Sequence, residues 1–299
     1  DGDHGEILLR YADMAMYRVK EHGRNSVRQF VPEMGSAAIS RLDMEAAMRR
    51  GLERGEFLLH YQPKIDLSSH RIIGAEALIR WQHPQIGLVH PIEFIHLAEE
   101  TGLIIPLGEW VVKEVCLQQV RWREQGLVPM KIGINMSARQ FRQEDLAERI
   151  AAVFASTQAD PTQFILELTE SMVMHDVDSN LVALRALKQL GVSLSLDDFG
   201  TGYSSLSYLR RFPIDELKID RSFITDIHTS PDDAAIAGAI VAMARSLGLS
   251  VVAEGVETKE QADLLVAMGC NQVQGNYFAR PMPERAFTTQ LHEQQSGQT

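Results

Sequence analysis

Apolar and polar positions along the chain follow two periods, one typical of helices and one typical of short strands. Several helical stretches end at a glycine, as at Gly126, Gly191, Gly248 and Gly269, and a short apolar or β-branched segment follows each. Glycine is favoured just beyond a helix end because it tolerates a positive φ. With the segments that lack a preceding glycine, eight strands are predicted, at 57–62, 72–79, 131–135, 164–168, 192–196, 216–220, 249–253 and 272–274.

The segments between these strands carry helix-start signals. Ser230 precedes a proline and two aspartates, and Thr258 stands three residues before Gln261, which is the spacing of a capping box. Another helix is expected to start near Ser40. Helices that alternate with strands indicate a mainly parallel sheet, and eight strands in about 240 residues favour a TIM-type (β/α)8 barrel. A doubly wound open sheet is the alternative that the pattern leaves open.

Composition and charge exclude several classes of protein. Of 299 residues, 45% are hydrophobic and the net charge is −11, which argues against a protein that binds a nucleic-acid polymer. Cys116 and Cys270 match neither a disulfide framework nor a zinc spacing, so we expect a reducing, cytoplasmic compartment. No apolar run approaches a membrane span, and no membrane contact is expected. With neither an initiator Met nor a signal peptide, we expect a piece of a longer protein, which could itself be attached to a membrane.

Polar side chains stand at or near the ends of most predicted strands. The carboxyl ends of parallel strands meet on one face of such a sheet, where functional sites lie. We therefore expect nine polar residues to converge there, six of them carboxylates: Glu76, Asn135, Glu167, Asp197, Asp198, Lys218, Asp220, Glu254 and Gln274. Clustered carboxylates repel one another unless cations neutralise them, and all-oxygen ligands suit Mg²⁺ or Mn²⁺ rather than zinc.

Each of these residues also has an ordinary structural interpretation. An acid at a strand end is commonly a helix cap or an ion-pair partner, and Lys218 taken alone could be a buried ion-pair partner. The glycines after Asp198 resemble a phosphate loop but lack the lysine of that motif. Nine such coincidences do not easily arise together, so a functional site is the preferred interpretation.

The residues at these positions resemble the motifs of the EAL domain, the family of cyclic di-GMP phosphodiesterases. The resemblance extends over residues 40–290 and includes the following motifs: Glu76-Ala77-Leu78, Tyr61-Gln62-Pro63, Asn135-Met136-Ser137, Glu167-Leu168-Thr169-Glu170, Asp197-Asp198-Phe199-Gly200, Lys218-Ile219-Asp220, Glu254-Gly255-Val256-Glu257 and Gln274-Gly275. It implies a TIM-like barrel whose first strand runs antiparallel to the others.

The resemblance also implies roles for individual residues. Glu76, Asn135, Glu167 and Asp197 resemble the ligands of one metal ion. Asp197 would bridge to a second ion near Asp198 and Glu254. Lys218 resembles the lysine that holds the attacking water, Glu254 a candidate general base, and Glu170 the acid that anchors the loop after Asp198. Contacts to substrate are implied for Gln62, Arg80, Asp220, Glu257 and Gln274.

Residues 4–30 resemble the C-terminal tail of a GGDEF domain, the diguanylate cyclase family, without the GGDEF signature itself. The predicted organisation is therefore a GGDEF remnant at 1–30, a linker at 31–39, an EAL domain at 40–290 and a tail at 291–299. A homodimer is expected from the family resemblance.

The resemblance implies an enzyme that hydrolyses cyclic di-GMP to linear pGpG, with two Mg²⁺ or Mn²⁺ ions and attack by metal-bound water on one phosphodiester. A second hypothesis is a cyclic di-GMP sensor whose catalysis is silent or gated. A third, from another reaction class, is a Schiff-base aldolase that uses Lys218. The acids around that lysine argue against the third, because they would keep the lysine protonated.

Overall fold

The computed structural model of the chain describes residues 41–201 and 206–297. The chain separates into two compact units, residues 1–50 and residues 51–299. Of the first unit only 41–50 are described, and they form the first part of α1 (Arg41–Arg54), close to the predicted start. The predicted GGDEF remnant at 1–30 and the linker at 31–39 lie outside the described residues.

Strands of the second unit form one sheet that closes on itself. The strands are β1 (Phe57–Asp66), β2 (Arg71–His83), β3 (Gly87–Val89), β4 (Lys131–Asn135), β5 (Phe164–Thr169), β6 (Ser193–Phe199), β7 (Glu216–Ile219), β8 (Ser250–Ala253), β9 (Gln272–Val273) and β10 (Met282–Pro283). Pairing of β1 with both β2 and β9 closes a ring of eight strands, outside which β3 and β10 lie.

The direction of the strands confirms the expected variant of the TIM-type barrel. β1 is antiparallel to both of its neighbours in the ring, whereas β2 and β4 to β9 are parallel to one another. The predicted positions of all eight strands are confirmed, and the open-sheet alternative is wrong because the ring is closed. Because β1 and β2 are antiparallel, a short turn connects them and no crossover helix is needed.

Helices cover the outside of the barrel. They are, after α1, α2 (Pro91–Thr101), α3 (Ile104–Glu124), α4 (Ala138–Phe141), α5 (Leu146–Thr157), α6 (Glu170–Met174), α7 (Val177–Gln189), α8 (Leu206–Leu209), α9 (Ser222–Thr225), α10 (Pro231–Leu247), α11 (Lys259–Met268) and α12 (Glu284–Ser296). The predicted signals act as expected: Ser230 caps α10, and Thr258 with Gln261 forms the capping box of α11. None of the helices that the structure describes combines the length and apolar character needed to cross a bilayer.

Strand β1 shows how the barrel wall separates two environments. Tyr61 points outward and packs against Trp122 of α3 and Phe287 of α12, with ring centroids 5.1 and 5.7 Å away. Its neighbours Gln62 and Lys64 bond to groups inside the barrel. This alternation follows from the two-residue period of a strand and places polar side chains in the interior only where they meet partners.

The C-terminal helix belongs to the barrel unit beyond the predicted boundary at residue 290. α12 continues to Ser296, Leu291 is buried, and the Gln294 amide bonds to the backbone N–H and C=O of Ile72. The predicted division between domain and tail therefore falls inside a packed helix. The polar, glutamine-rich sequence near the end concealed this, because few residues of the last turns face the barrel.

Candidate active site

Backbone register brings the predicted polar residues to one end of the barrel. Asn135 at the end of β4 is aligned with Glu167 of β5, and Thr169 of β5 is aligned with Asp197 of β6. Glu254 directly follows β8, and its backbone N–H donates to the carbonyl of Ile219 at the end of β7. The convergence expected from the parallel strands is thus observed, because the ends of neighbouring strands lie side by side.

Lys218 of β7 occupies the centre of this end. Its ammonium donates to Glu167 Oε2 at 2.8 Å and to Asp197 Oδ2 at 3.1 Å. It also lies 2.6 Å from Glu254 Oε1 and 3.5 Å from Glu76 Oε2. One buried cation therefore contacts four carboxylates, and the site keeps a net negative charge.

The protonation of Lys218 follows from this arrangement. Desolvation by burial would lower the pKa of Lys218, but the surrounding carboxylates, with Glu167 the strongest, hold it well above its ordinary value. A Schiff base requires the neutral amine as nucleophile. The geometry therefore contradicts the aldolase hypothesis.

The carboxylates respond differently to the same surroundings. Burial raises the pKa of Asp197 to about 6 and that of Glu254 to about 8, while Lys218 opposes both shifts. Burial would also raise the pKa of Glu167, but Lys218 and Lys64 together outweigh it and lower that pKa to about 2. Two lysines keep Glu167 ionised, whereas Asp197 and Glu254 are short of positive partners.

Two consecutive aspartates reach the site because the backbone turns sharply between them. Asp198 has a φ of +54°, a left-handed conformation that aspartate tolerates better than most residues. Its N–H donates to Asp197 Oδ1 at 3.0 Å. Burial, followed by the charge of the neighbouring Asp220, raises the pKa of Asp198, so Asp220 lies beside Asp198.

The residues present fit a divalent cation. Carboxylate oxygens of Asp197, Asp198 and Glu254 all lie within 4.8 Å of one another. An all-oxygen donor set suits hard cations such as Mg²⁺ and Mn²⁺. Bringing a cation to these carboxylates would also relieve the repulsion and desolvation that raise their pKa values. This acidic group could therefore hold a metal ion.

Amide side chains hold Glu76 from the other side of the barrel. Asn135 Nδ2 donates to Glu76 Oε1 at 2.5 Å, and Gln274 Nε2 donates to Glu76 Oε2 at 2.6 Å. Gln274 Nε2 also donates to Gln62 Oε1 at 3.0 Å, and Gln62 in turn donates to the carbonyl of Ala279. These bonds fix the orientation of the Glu76 carboxylate, which Gln274 contacts directly and Gln62 contacts through Gln274.

The remaining predicted residues, Arg80, Glu170 and Glu257, make no direct contact with the carboxylates around Lys218 among the described residues. Arg80 is buried on β2, where Nη1 donates to the carbonyl of Ile79, and its Nε makes no hydrogen bond to the described residues. Glu170 Oε2 accepts a bond of 2.9 Å from the N–H of Gly200, in the loop after β6. Glu257 is exposed, and no contact joins its carboxylate to the acidic group within the described ranges. Glu257 is thus a predicted site residue whose side chain is exposed and does not contact the site carboxylates in the described structure.

Sequence reasoning missed two charged residues inside the barrel, Lys64 and Glu216. Lys64 Nζ lies 2.9 Å from Glu167 Oε1 and 3.0 Å from Glu216 Oε1. Lys64 was missed because β1 is predicted to end at Gln62 but runs to Asp66. The two-residue period was the available signal, since Lys64 follows Gln62 by two positions and Glu216 precedes Lys218 by two.

The chain is similar in sequence to known proteins over most of its length. The EAL domain model matches residues 45–281. The chain is 47% identical over 283 residues to the bifunctional diguanylate cyclase/cyclic di-GMP phosphodiesterase MucR of Pseudomonas aeruginosa, covering 95% of this chain and 41% of that protein. It is 41% identical over 286 residues to the cyclic di-GMP phosphodiesterase PdeR of Escherichia coli, covering 96% of this chain and 43% of that protein.

A solved structure described as a PaMucR phosphodiesterase in complex with c-di-GMP superposes with a TM-score of 0.79 at 48% identity, covering 82% of this chain and 99% of that one. The EAL domain of Mycobacterium smegmatis DcpA superposes with a TM-score of 0.69 at 35% identity, covering 79% of this chain and 98% of that one. The chain spans about two fifths of the length of the curated relatives it matches, 41% and 43%. From its closed barrel, its acidic group and these matches, the chain belongs to the EAL domain family.

Proposed function

We propose that this chain is a metal-dependent phosphodiesterase that hydrolyses cyclic di-GMP to linear pGpG. One observation carries the proposal: four carboxylates contact a buried lysine at the mouth of a barrel whose relatives are named cyclic di-GMP phosphodiesterases. The structural relative with c-di-GMP in its description supports the same substrate.

The acidic group would hold two divalent ions, Mg²⁺ or Mn²⁺. Glu76, Asn135, Glu167 and Asp197 are the proposed ligands of one, and Asp197, Asp198 and Glu254 those of the other. When bound, such cations neutralise the phosphodiester, lower the pKa of water and stabilise charge on the phosphoryl oxygens.

The chain's own residues position the water and receive its proton. Lys218 stays protonated, so its ammonium donates hydrogen bonds and would orient the attacking water among the carboxylates it contacts. Glu254 is the proposed general base, which the family resemblance supports, and its carboxylate lies 2.6 Å from the Lys218 ammonium that would orient the water.

Polar groups at the barrel mouth would bind the substrate. Arg80 is the best-supported contact, since its buried guanidinium has an Nε donor without a hydrogen-bond partner in the described chain, which a phosphate oxygen would satisfy. Gln274 contacts Glu76, Gln62 contacts Gln274, and Asp220 lies beside Asp198; all three are proposed as further contacts. For Glu257 the support is the family resemblance alone.

Incubation of the purified chain with cyclic di-GMP and Mg²⁺ or Mn²⁺, with products separated by mass, tests this function. We expect pGpG from the wild type and none after addition of EDTA or in Glu76→Ala. Glu148→Ala, which removes an exposed acid of α5, is the matched control and should retain full turnover. Full turnover in EDTA would refute the proposal, and tight binding without pGpG would favour the sensor hypothesis.

Three further proposals concern the whole protein. Residues 1–30 are proposed to be the tail of a GGDEF domain joined by the linker 31–39, and two copies of the chain are proposed to pair. The family resemblance supports both, and light scattering tests the second. A cytoplasmic location is supported by two free, buried thiols, Cys116 and Cys270.

A further inference from the structure

Lys64 lies inside the barrel on β1, two residues beyond Gln62. Only 3% of its side chain is exposed, and its ammonium bridges Glu167 and Glu216, whose side chains are 0% and 7% exposed. Lys64 is therefore an ion-paired donor in the barrel interior.

The two oxygens of Glu167 are divided between two lysines. Lys64 takes Oε1 at 2.9 Å, and Lys218 takes Oε2 at 2.8 Å. Gly133 of β4 gives the carboxylate room for this orientation, because a Cβ at that position would collide with Glu167 Oε1. Ser195, on the adjacent strand, is buried, but its hydroxyl makes no hydrogen bond in the described part of the chain. It therefore does not help to hold the Glu167 carboxylate.

We propose that Lys64 is a positioning residue of the site. By holding Oε1, it keeps Oε2 of Glu167 directed at Lys218 and toward Asp197, where a cation would be ligated. The inference rests on the proposed function, in which Glu167 is a metal ligand. Lys64 touches neither the phosphodiester nor the ions in this account and acts only through Glu167.

A purely structural role predicts a different outcome. If Lys64 served only to balance the charge of Glu216, removal of both would leave the site intact. Removal of Lys64 alone would not separate the two roles, because the uncompensated charge of Glu216 would attract cations and strain the fold. Lys64 and Glu216 together carry no net charge, so replacing both changes the electrostatic field at the site carboxylates little. Any change in ion affinity then reports the loss of the hydrogen bond from Lys64 to Glu167.

The test is the double variant Lys64→Leu with Glu216→Leu, with folding checked by circular dichroism and Mn²⁺ affinity measured by calorimetry without substrate. We expect ion affinity to fall about 10- to 100-fold, the usual cost of losing a group that orients a metal ligand. We also expect kcat to fall while KM for cyclic di-GMP stays unchanged. Ion affinity and kcat equal to wild type in the folded double variant would overturn the proposal.

Lys188→Leu is the matched control. It removes a lysine paired with Asp215, next to Glu216 in sequence but bonded outside the acidic group, and should leave ion affinity unchanged. Should this double variant not fold, the milder double variant Lys64→Met with Glu216→Gln takes its place: weaker Mn²⁺ binding supports the proposal and unchanged binding overturns it. Since ion affinity is read without substrate, a wild type that binds Mn²⁺ but yields no pGpG would refute the proposed function alone.

Discussion

At the scale of single residues, the site depends on an unequal division of positive charge. Glu167 contacts two lysines, and its pKa is lowered to about 2, whereas Asp197 and Glu254 share Lys218 with other acids and have raised pKa values. Glu167 is therefore ionised under all ordinary conditions. The other two bind protons more readily and would release them to a bound cation, so the proposed ligand set combines one permanently ionised carboxylate with two whose charge depends on the cation.

Gly133 has no Cβ, and this leaves room for the Glu167 carboxylate between its two lysines. A larger residue at position 133 should displace Glu167. We expect Gly133→Val to lower kcat about 100-fold, because misplacement of a group by about 1 Å costs that much, and Gly133→Ala to lower it less. Valine suits a strand, so the variant should fold. Steady-state kinetics checks whether kcat falls more in Gly133→Val than in Gly133→Ala. A wild-type kcat in Gly133→Val would contradict the predicted steric displacement of Glu167.

At the scale of elements, one contact joins two βα units of the barrel. The carboxylate of Glu170, the first residue of α6, accepts the N–H of Gly200 beyond the end of β6. Gly200 has a φ of +100°, and a Cβ there would meet the ring of Phe223. The backbone that carries Asp198 is thus held between α6 and α9 at a position where only glycine is unstrained.

Loss of this contact should weaken ion binding without unfolding the barrel. We expect Glu170→Ala to lower Mn²⁺ affinity about tenfold, because the segment that presents Asp198 loses its anchor. Glu170→Gln retains an oxygen acceptor and should bind Mn²⁺ nearly as the wild type does. Calorimetric titration compares the three proteins, and equal affinities in wild type and Glu170→Ala would show that the contact does not matter.

At the scale of the whole molecule, closure of the barrel concentrates charge that the chain distributes over almost 180 residues, from Glu76 to Glu254. Hydrophobic packing between strands and helices stabilises this closure, and the acidic group opposes it through desolvation and repulsion. A site of this kind commonly lowers the stability of the protein until its ligand is bound.

The metal-free protein should therefore become less stable as the pH rises from about 6 to about 8. Glu254 has a pKa of about 8 in the folded protein and an ordinary value of 4.5 when unfolded, so between these values the folded state holds a proton that the unfolded state has already lost. Each rise in pH then favours the unfolded state, and the fall ends above about 8, where both states are ionised. Melting temperatures in EDTA should fall by several degrees across the window. Saturating Mg²⁺ should reduce the fall, and Glu254→Gln should flatten it even without metal; a flat profile in the wild type would contradict the raised pKa.

Much of the fold was predictable because it rests on local signals. Gly248 and Gly269 end their helices in a left-handed conformation, and Thr258 begins α11, as the pattern indicates. The end of β1 was not predictable in this way. Its last residues alternate Lys64 and Asp66 with apolar positions, which is typical of a solvated strand, and only the acids of other strands make burial of Lys64 tolerable.

The sequence by itself determined that strands and helices alternate and which polar residues end the strands, because both depend on neighbours within a few positions. It also carried the family motifs. Only the tertiary structure decided that Lys218 touches four acids, that Lys64 and Glu216 reach the same interior, and that Glu257 stands apart. Contacts between distant strands depend on register and barrel closure, and these arise from the packing of the whole chain rather than from any one segment.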